Sequence, residues 1–194
     1  MSWYKFVVRL VSFYYRLVYR VAITGMDNIP REGGFLLCCN HKSNNDPPFL
    51  GSAVPVQISI LAKKELFEPF ILGSLLQSLG AIPLDRNAND VSAIKTSMSI
   101  MRGGKGLLVF PQGGRKKEME QKDFRPGSLM MAHRAKVPVI FARIDGDYKL
   151  FSKMRITVGN VLGVEQLAKI VQEAPDEERN IILSKLIYSR ITEL

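Results

Sequence analysis

The sequence predicts one α/β domain: a central mixed sheet flanked by helices, entered through an amphipathic helix at the N-terminus. Two observations carry this expectation. Short apolar runs of strand length alternate with segments of helical periodicity, the pattern of a sheet with helices on its faces. The chain has 194 residues, 46% of them hydrophobic, enough for one sizeable core and too few for two domains. The expected division is a helical segment at 1–22 and a main domain at 23–194.

Residues 1–22 read as a helix. At 100° per residue, Lys5, Arg9, Arg16 and Arg20 fall at about 0°, 40°, 20° and 60°, which makes one basic stripe. Trp3, Phe6, Leu10, Phe13, Tyr14 and Leu17 are among the apolar residues that cover most of the rest. The charges exclude a membrane span, and no secretory cleavage pattern follows. A basic amphipathic helix rich in aromatics suits a membrane interface. The alternative is a helix packed on the domain with a solvated basic side.

A short strand at 21–24 leads to a turn-rich stretch at 25–30. Residues 34–39 (Gly-Phe-Leu-Leu-Cys-Cys) are apolar and read as a buried strand. The chain then turns polar within one residue, at Asn40 and His41. Pro47 and Pro48 restrict the residues before them, so the next helix is expected to start no earlier than Pro48 and to run to 54. A strand follows at 56–61. The run 66–76 is apolar on more than one face and reads as a buried helix. Its residues suit a core and the wall of an acyl-chain tunnel equally well. A short strand lies within 80–86. A helix is expected to 101, with Asp90 as its N-cap and Gly103 and Gly104 as its stop. Then come a strand at 106–110, a helix opened by Phe124-Arg125-Pro126-Gly127 and running to 135, and strands at 137–144 and 154–158. One or two amphipathic helices, broken near Pro175, complete the chain.

Three polar stretches each follow a predicted strand: 40–46, 85–86 and 111–117. Sites in α/β folds gather at strand ends, which groups these stretches into one candidate site. In the first, His41 and Asp46 sit five positions apart and would lie on different faces of a helix. They meet only across a turn, which Asn44 and Asn45 favour. Neutral imidazole takes a proton near neutral pH, and a carboxylate on its other nitrogen fixes the tautomer and stabilises the imidazolium. Read alone, the same residues suit an ordinary loop in which Asp46 caps the next helix. Ser43 lies in no nucleophile elbow. In the third stretch, Gly113 and Gly114 beside Arg115 and Lys116 suit an anion nest or a flexible basic hairpin tip.

The net charge is +9 and the isoelectric point about 9.7, so the partner is anionic. Nucleic acid is disfavoured, since no zinc-finger, helix-turn-helix or RNA-binding signature is present. Cys38 and Cys39 are adjacent and form no disulfide framework, which suits a reducing compartment. With two histidines and no clustered ligands, no metal is expected. His133 is read as non-catalytic.

Four blocks in order carry a resemblance. They are Asn40-His41-Lys42-Ser43-Asn44-Asn45-Asp46, Gly80-Ala81-Ile82-Pro83-Leu84-Asp85-Arg86, Phe110-Pro111-Gln112-Gly113-Gly114-Arg115 and Val137-Pro138-Val139-Ile140. Together they resemble the glycerolipid acyltransferases, specifically the 1-acyl-sn-glycerol-3-phosphate acyltransferases, over about residues 22–145. Lys64-Glu65-Leu66 is similar to a further family segment. The resemblance implies acyl transfer to the sn-2 hydroxyl of lysophosphatidic acid, giving phosphatidic acid for phospholipid synthesis. The co-substrate would be acyl-CoA or an acyl carrier protein thioester, with no bound cofactor and no covalent enzyme intermediate. It implies His41 as base with Asp46 as its partner. Arg86 and Arg115, with Gln112, Gly113 and Gly114, would hold the acceptor phosphate, and two arginines suit that bidentate task. Asn40, Ser43 and Lys64 would support. The implied location is the cytoplasmic face of an anionic membrane, peripheral or monotopic. Gln112 departs from the family's usual glutamate and Gly114 from its usual threonine. These departures motivate one alternative, a different lysolipid acceptor; a second alternative, a non-catalytic lipid-binding protein on the same fold, is opposed by the intact His41 and Asp46.

Overall fold

The computed structural model describes residues 2–85, 90–116 and 118–194. The elements run α1 (Trp3–Val18), β1 (Arg20–Thr24), β2 (Phe35–Cys39), α2 (Asp46–Ala53), β3 (Ile58–Lys63), α3 (Phe70–Ser78), β4 (Ile82–Leu84), α4 (Val91–Arg102), β5 (Gly106–Val109), α5 (Gly127–Ala135), β6 (Val139–Asp145), β7 (Lys153–Val158), α6 (Val164–Glu173) and α7 (Arg179–Thr192). The strands form one seven-stranded sheet in the order β1-β7-β6-β2-β5-β3-β4. Every neighbouring pair is parallel except β6 with β7. The sheet is therefore mixed, as the sequence predicts.

Strand β2 sits at the centre and all five of its residues are buried. Alternation splits them between two cores. Leu36 and Cys38 join Leu107, Phe141, Leu129 and Leu183 on the face covered by α4 to α7. Phe35, Leu37 and Cys39 join Phe49, Leu50 and Tyr15 on the face covered by α1 and α2. Burial on both faces is what makes these strands continuous apolar runs. Because β2, β3, β4, β5 and β6 are mutually parallel, the segments that follow them emerge at the same end of the sheet. That geometry brings the described residues of the three polar stretches, 40–46, 85 and 111–116, to one end.

Helix α1 ends at Val18, and Tyr19 turns the chain into β1. Arg20 therefore lies on a strand and not on the helical basic stripe, and the 22/23 division falls inside β1. The β-branched residues of 20–24 pair with β7, which outcompetes another turn of helix. Helix α1 buries Tyr15 and packs Val11 and Val18 on the core. Its outward side is apolar: Leu10, Phe13 and Leu17 are 58%, 65% and 66% exposed, beside exposed Trp3, Phe6 and Tyr14. Lys5, Arg9 and Arg16 flank that stripe, also exposed.

Two further expectations are corrected. Helix α2 begins at Asp46 and not at Pro48. The first helical turn lacks intrahelical partners for its N–H groups, so prolines there remove no bond. The run 66–76 is not a buried helix. It divides into a 3-10 turn (Lys64–Phe67) and α3, where only Gly73 is buried, and Phe70 and Ile71 are 86% and 83% exposed. Gly73 marks the close approach to Phe67, whose carbonyl oxygen leaves no room for a Cβ. Trp3 Nε1 donates to Ser78 Oγ (3.0 Å), which ties α3 to the start of α1. Among the described residues, no helix is long and apolar enough to cross a membrane.

Candidate active site

His41 leaves the end of β2 and is held by its own main chain. Its N–H donates to Gln112 Oε1 (2.6 Å), and its carbonyl accepts from Lys116 N (2.8 Å). The loop after β5 thus locks onto the loop after β2. Asn40 does the same toward β6: its Oδ1 accepts from Ile144 N (2.7 Å) and its Nδ2 donates to Ile144 O (3.0 Å). The two clamps fix the direction in which His41 leaves the sheet. The imidazole stacks on Phe110 with centroids 4.3 Å apart.

The turn expected between His41 and Asp46 is present, closed by the Asp46 N to Ser43 O bond (3.1 Å). Asp46 Oδ2 accepts from His41 Nδ1 (2.9 Å), Lys42 N (2.6 Å) and Ser43 N (2.7 Å). Asp46 Oδ1 accepts from Tyr148 Oη (2.8 Å). The carboxylate is 0% exposed, so these donors stand in for water. As the first residue of α2 it also meets the positive end of the helix dipole. A carboxylate on Nδ1 selects the tautomer with the proton there, which leaves Nε2 with a lone pair. His41 is 7% exposed. The inner edge of the imidazole is braced by Asp46, and Nε2 is left without a hydrogen-bond partner among the described residues.

The remaining predicted residues divide. Ser43 shapes the turn, donating its N–H to Asp46 and accepting Asn45 N at its hydroxyl (3.2 Å). Lys64 approaches Asp85 across 4.0 Å at the neighbouring strand ends. Gln112 does not face outward as an acceptor ligand. It is buried, its oxygen holds His41 N, and its Nε2 has no partner among the described residues. Gly113 has φ +66° and its N–H bonds Phe110 O (3.2 Å), so that group closes the turn and is not part of an anion nest. Gly114 is half-buried and Arg115 exposed. Arg86 lies outside the described residues.

Two residues escaped the sequence reading. Tyr148 reaches the site from the loop after β6. Arg125 lies against Gly113, where an added Cβ would sit 3.3 Å from its Nε, and its N–H bonds Pro111 O (3.0 Å). Arg125 lines a cavity of about 620 Å³ that also meets Leu61, Ile94, Met98, Met130 and Gly113. Placement after a parallel strand was the available signal for Tyr148.

Burial, then the charge of Asp46, push the Tyr148 phenol far up, so it stays a donor. Burial pushes the Cys38 thiol up to about 12 and Cys39 well above its ordinary range, so neither is a thiolate nucleophile at neutral pH. Among the described residues, no group of three or more His, Cys, Asp or Glu side chains could hold a metal ion.

Comparison with known proteins shows the family. The family model described as Acyltransferase matches residues 20–144. A 1-acyl-sn-glycerol-3-phosphate acyltransferase of Bacillus subtilis is 30% identical over 197 residues, covering 98% of this chain and 96% of that one. The protein of the same name from Streptococcus pneumoniae is 29% identical over 175 residues, covering 86% and 64%. The crystal structure of the 1-acyl-sn-glycerophosphate acyltransferase from Thermotoga maritima superimposes with a TM-score of 0.69 at 21% identity, over 98% of this chain and 81% of that one. At that identity the likeness shows the fold.

Proposed function

The chain belongs to the acyltransferase family, and on that premise we propose that it moves a fatty acyl group from a thioester to the sn-2 hydroxyl of 1-acyl-sn-glycerol-3-phosphate, giving phosphatidic acid. The acceptor is that named for the relatives. The observation that carries the mechanism is the His41–Asp46 pair, braced at Nδ1 and without a partner at Nε2 among the described residues. The acceptor hydroxyl gives its proton to His41 Nε2 as its oxygen attacks the thioester carbonyl. The tetrahedral intermediate collapses, the C–S bond breaks, and the thiolate leaves with the proton from the imidazolium. No bond to the enzyme forms. Asp46 balances the imidazolium at each step.

We assign the acceptor phosphate to the rim around Gly113, where Arg125 lies against that glycine and Arg115 follows it by two residues in the chain; Arg86, which the resemblance adds to the site, lies outside the described residues. Planar guanidinium groups suit phosphate oxygens. The cavity beside Gly113, with its leucine, isoleucine and methionine walls, suits an acyl chain. The protein works as a peripheral or monotopic enzyme at the cytoplasmic face of an anionic membrane. Support for this comes from the exposed apolar stripe of α1, its flanking Lys5, Arg9 and Arg16, and the exposed Phe70 and Ile71 of α3. One observation favours a second acceptor, another polar lysolipid: half-buried Gly114, on the rim beside Gly113, stands where the family usually has threonine.

The test incubates pure protein with labelled acyl-CoA or acyl carrier protein thioester and a panel of lysolipids. Labelled phosphatidic acid is the expected product. Acylation of a different lysolipid but not of 1-acyl-sn-glycerol-3-phosphate would move the assignment to the second acceptor. No turnover with any pair, with vesicle binding retained, would make the protein a lipid-binding scaffold.

A further inference from the structure

We propose that Tyr148 is a positioning residue for the catalytic carboxylate, an inference that rests on the roles given above to His41 and Asp46. The phenol donates to Asp46 Oδ1 over 2.8 Å, across 102 positions of sequence. The other carboxylate oxygen is already crowded by three donors, all from the turn that Asp46 closes. Without Tyr148 those donors would all sit on one oxygen and the second would be a buried acceptor facing no donor. The last torsion of an aspartate is soft and roughly two-fold. A one-sided carboxylate would rotate about it, and Oδ2 would swing off the line to Nδ1. The phenol pins the opposite corner and removes that freedom.

The phenol is itself held. Its ring meets Tyr19 edge-on at 5.7 Å and Phe49 edge-on at 6.0 Å. Tyr15 lies on Phe49 at 4.9 Å and stacks on Tyr19 at 5.9 Å, and its hydroxyl donates to Asn45 O (3.2 Å) in the catalytic turn. Four rings, from α1 and the residue that follows it, α2 and the loop after β6, thus form one block beside the turn. Burial and the Asp46 charge keep the phenol protonated through the working pH range. Tyr148 acts through Asp46 and touches no reacting atom, so its contribution grows as charge forms on the imidazole.

The variant Tyr148→Phe keeps every ring contact and removes only the hydroxyl. Its kcat is expected to fall about tenfold with KM for donor and acceptor within about twofold of wild type, because the carboxylate matters most once the imidazolium forms. A kcat within twofold of wild type, or a loss carried mainly by KM, would overturn the proposal. The second readout is the His41 Nδ1–H proton resonance at low temperature, where the variant stays folded. It shifts or broadens in Tyr148→Phe if the carboxylate has lost its brace, and a wild-type resonance would count against the proposal. His41→Ala run in parallel separates the two readings. If that variant turns over normally, the catalytic assignment itself falls. If it is inactive while Tyr148→Phe is normal, only the role of Tyr148 falls.

Discussion

Asp46→Asn preserves the shape of the site and removes its charge, and the structure sets what each contact loses. An amide has one acceptor oxygen where a carboxylate has two. Three donors converge on Oδ2, so the amide oxygen must take that place. The amide nitrogen then faces Tyr148, whose hydroxyl turns to accept. All four contacts survive, but each changes from charge-assisted to neutral. Bonds to charged groups contribute about 1.5–3 kcal/mol and neutral ones about 0.5–1.5, so each contact loses about 1 kcal/mol. All four bonds, the one from neutral His41 included, exist in the resting enzyme, so about 4 kcal/mol appears as lost stability. The pair with His41 loses more during turnover, because the imidazolium exists only then. Opposite charges about 4 Å apart at an effective dielectric of 20 attract by about 4 kcal/mol. Losing that attraction slows kcat about a thousandfold. Urea unfolding measures the first loss and initial rates at saturating substrate the second. A folded variant whose kcat stays within tenfold of wild type would refute the argument, because the charge of Asp46 would then have no part in the rate.

Three further outcomes are expected. Changing Leu10, Phe13 and Leu17 together to serine should leave the melting temperature unchanged, since these side chains already face water, and should weaken sedimentation with anionic vesicles more than tenfold. Equal vesicle binding would rule out the α1 face, as would wild-type binding insensitive to salt. Arg115→Ala should lower kcat/KM about tenfold to a hundredfold for a phosphate-bearing acceptor and much less for a neutral lysolipid. Equal losses on both would separate Arg115 from the phosphate. Asp90 caps α4, and the Ser92 hydroxyl, then the N–H groups of Ala93 and Asp85, hold its carboxyl at about 2, below the ordinary 3.8. A depressed folded value means stabilisation that is complete above about pH 4 and lost as the pH falls toward 2. Asp90→Ala should therefore melt lower than wild type at pH 7, with the gap closing near pH 2. A gap that is the same at both pH values would contradict the cap.

The strands around the site were readable because burial on both faces leaves continuous apolar runs, and β2, β5 and β6 stand near their expected positions. Local chemistry also placed the cap of α4: Asp90 before a helical pattern and Gly103 after it describe their own structure. Long-range partners were less readable. The family's third block implies Gln112 as a phosphate ligand, but the crossing of two loops turns it onto His41 N. Tyr148 follows Gly146 and Asp147 in a loop without a motif, and only the adjacency of β6 and β2 delivers it to Asp46. The run 66–76 misled for a different reason. Apolar residues on several faces denote burial in water, and the same composition stands exposed on α3 beside the equally exposed stripe of α1.

The measurement that bears most directly on the account is the initial rate of phosphatidic acid formation by His41→Ala, with wild-type folding verified by its melting curve. Among the described residues the imidazole ring donates only to Asp46, while the main-chain bonds to Gln112 and Lys116 are independent of the side chain. The variant should therefore fold, bind vesicles as wild type does, and form product at no more than about a thousandth of the wild-type rate, the share expected of a positioned base with its partner. A folded His41→Ala that transfers acyl groups within tenfold of wild type would contradict the claim that this histidine takes the acceptor's proton.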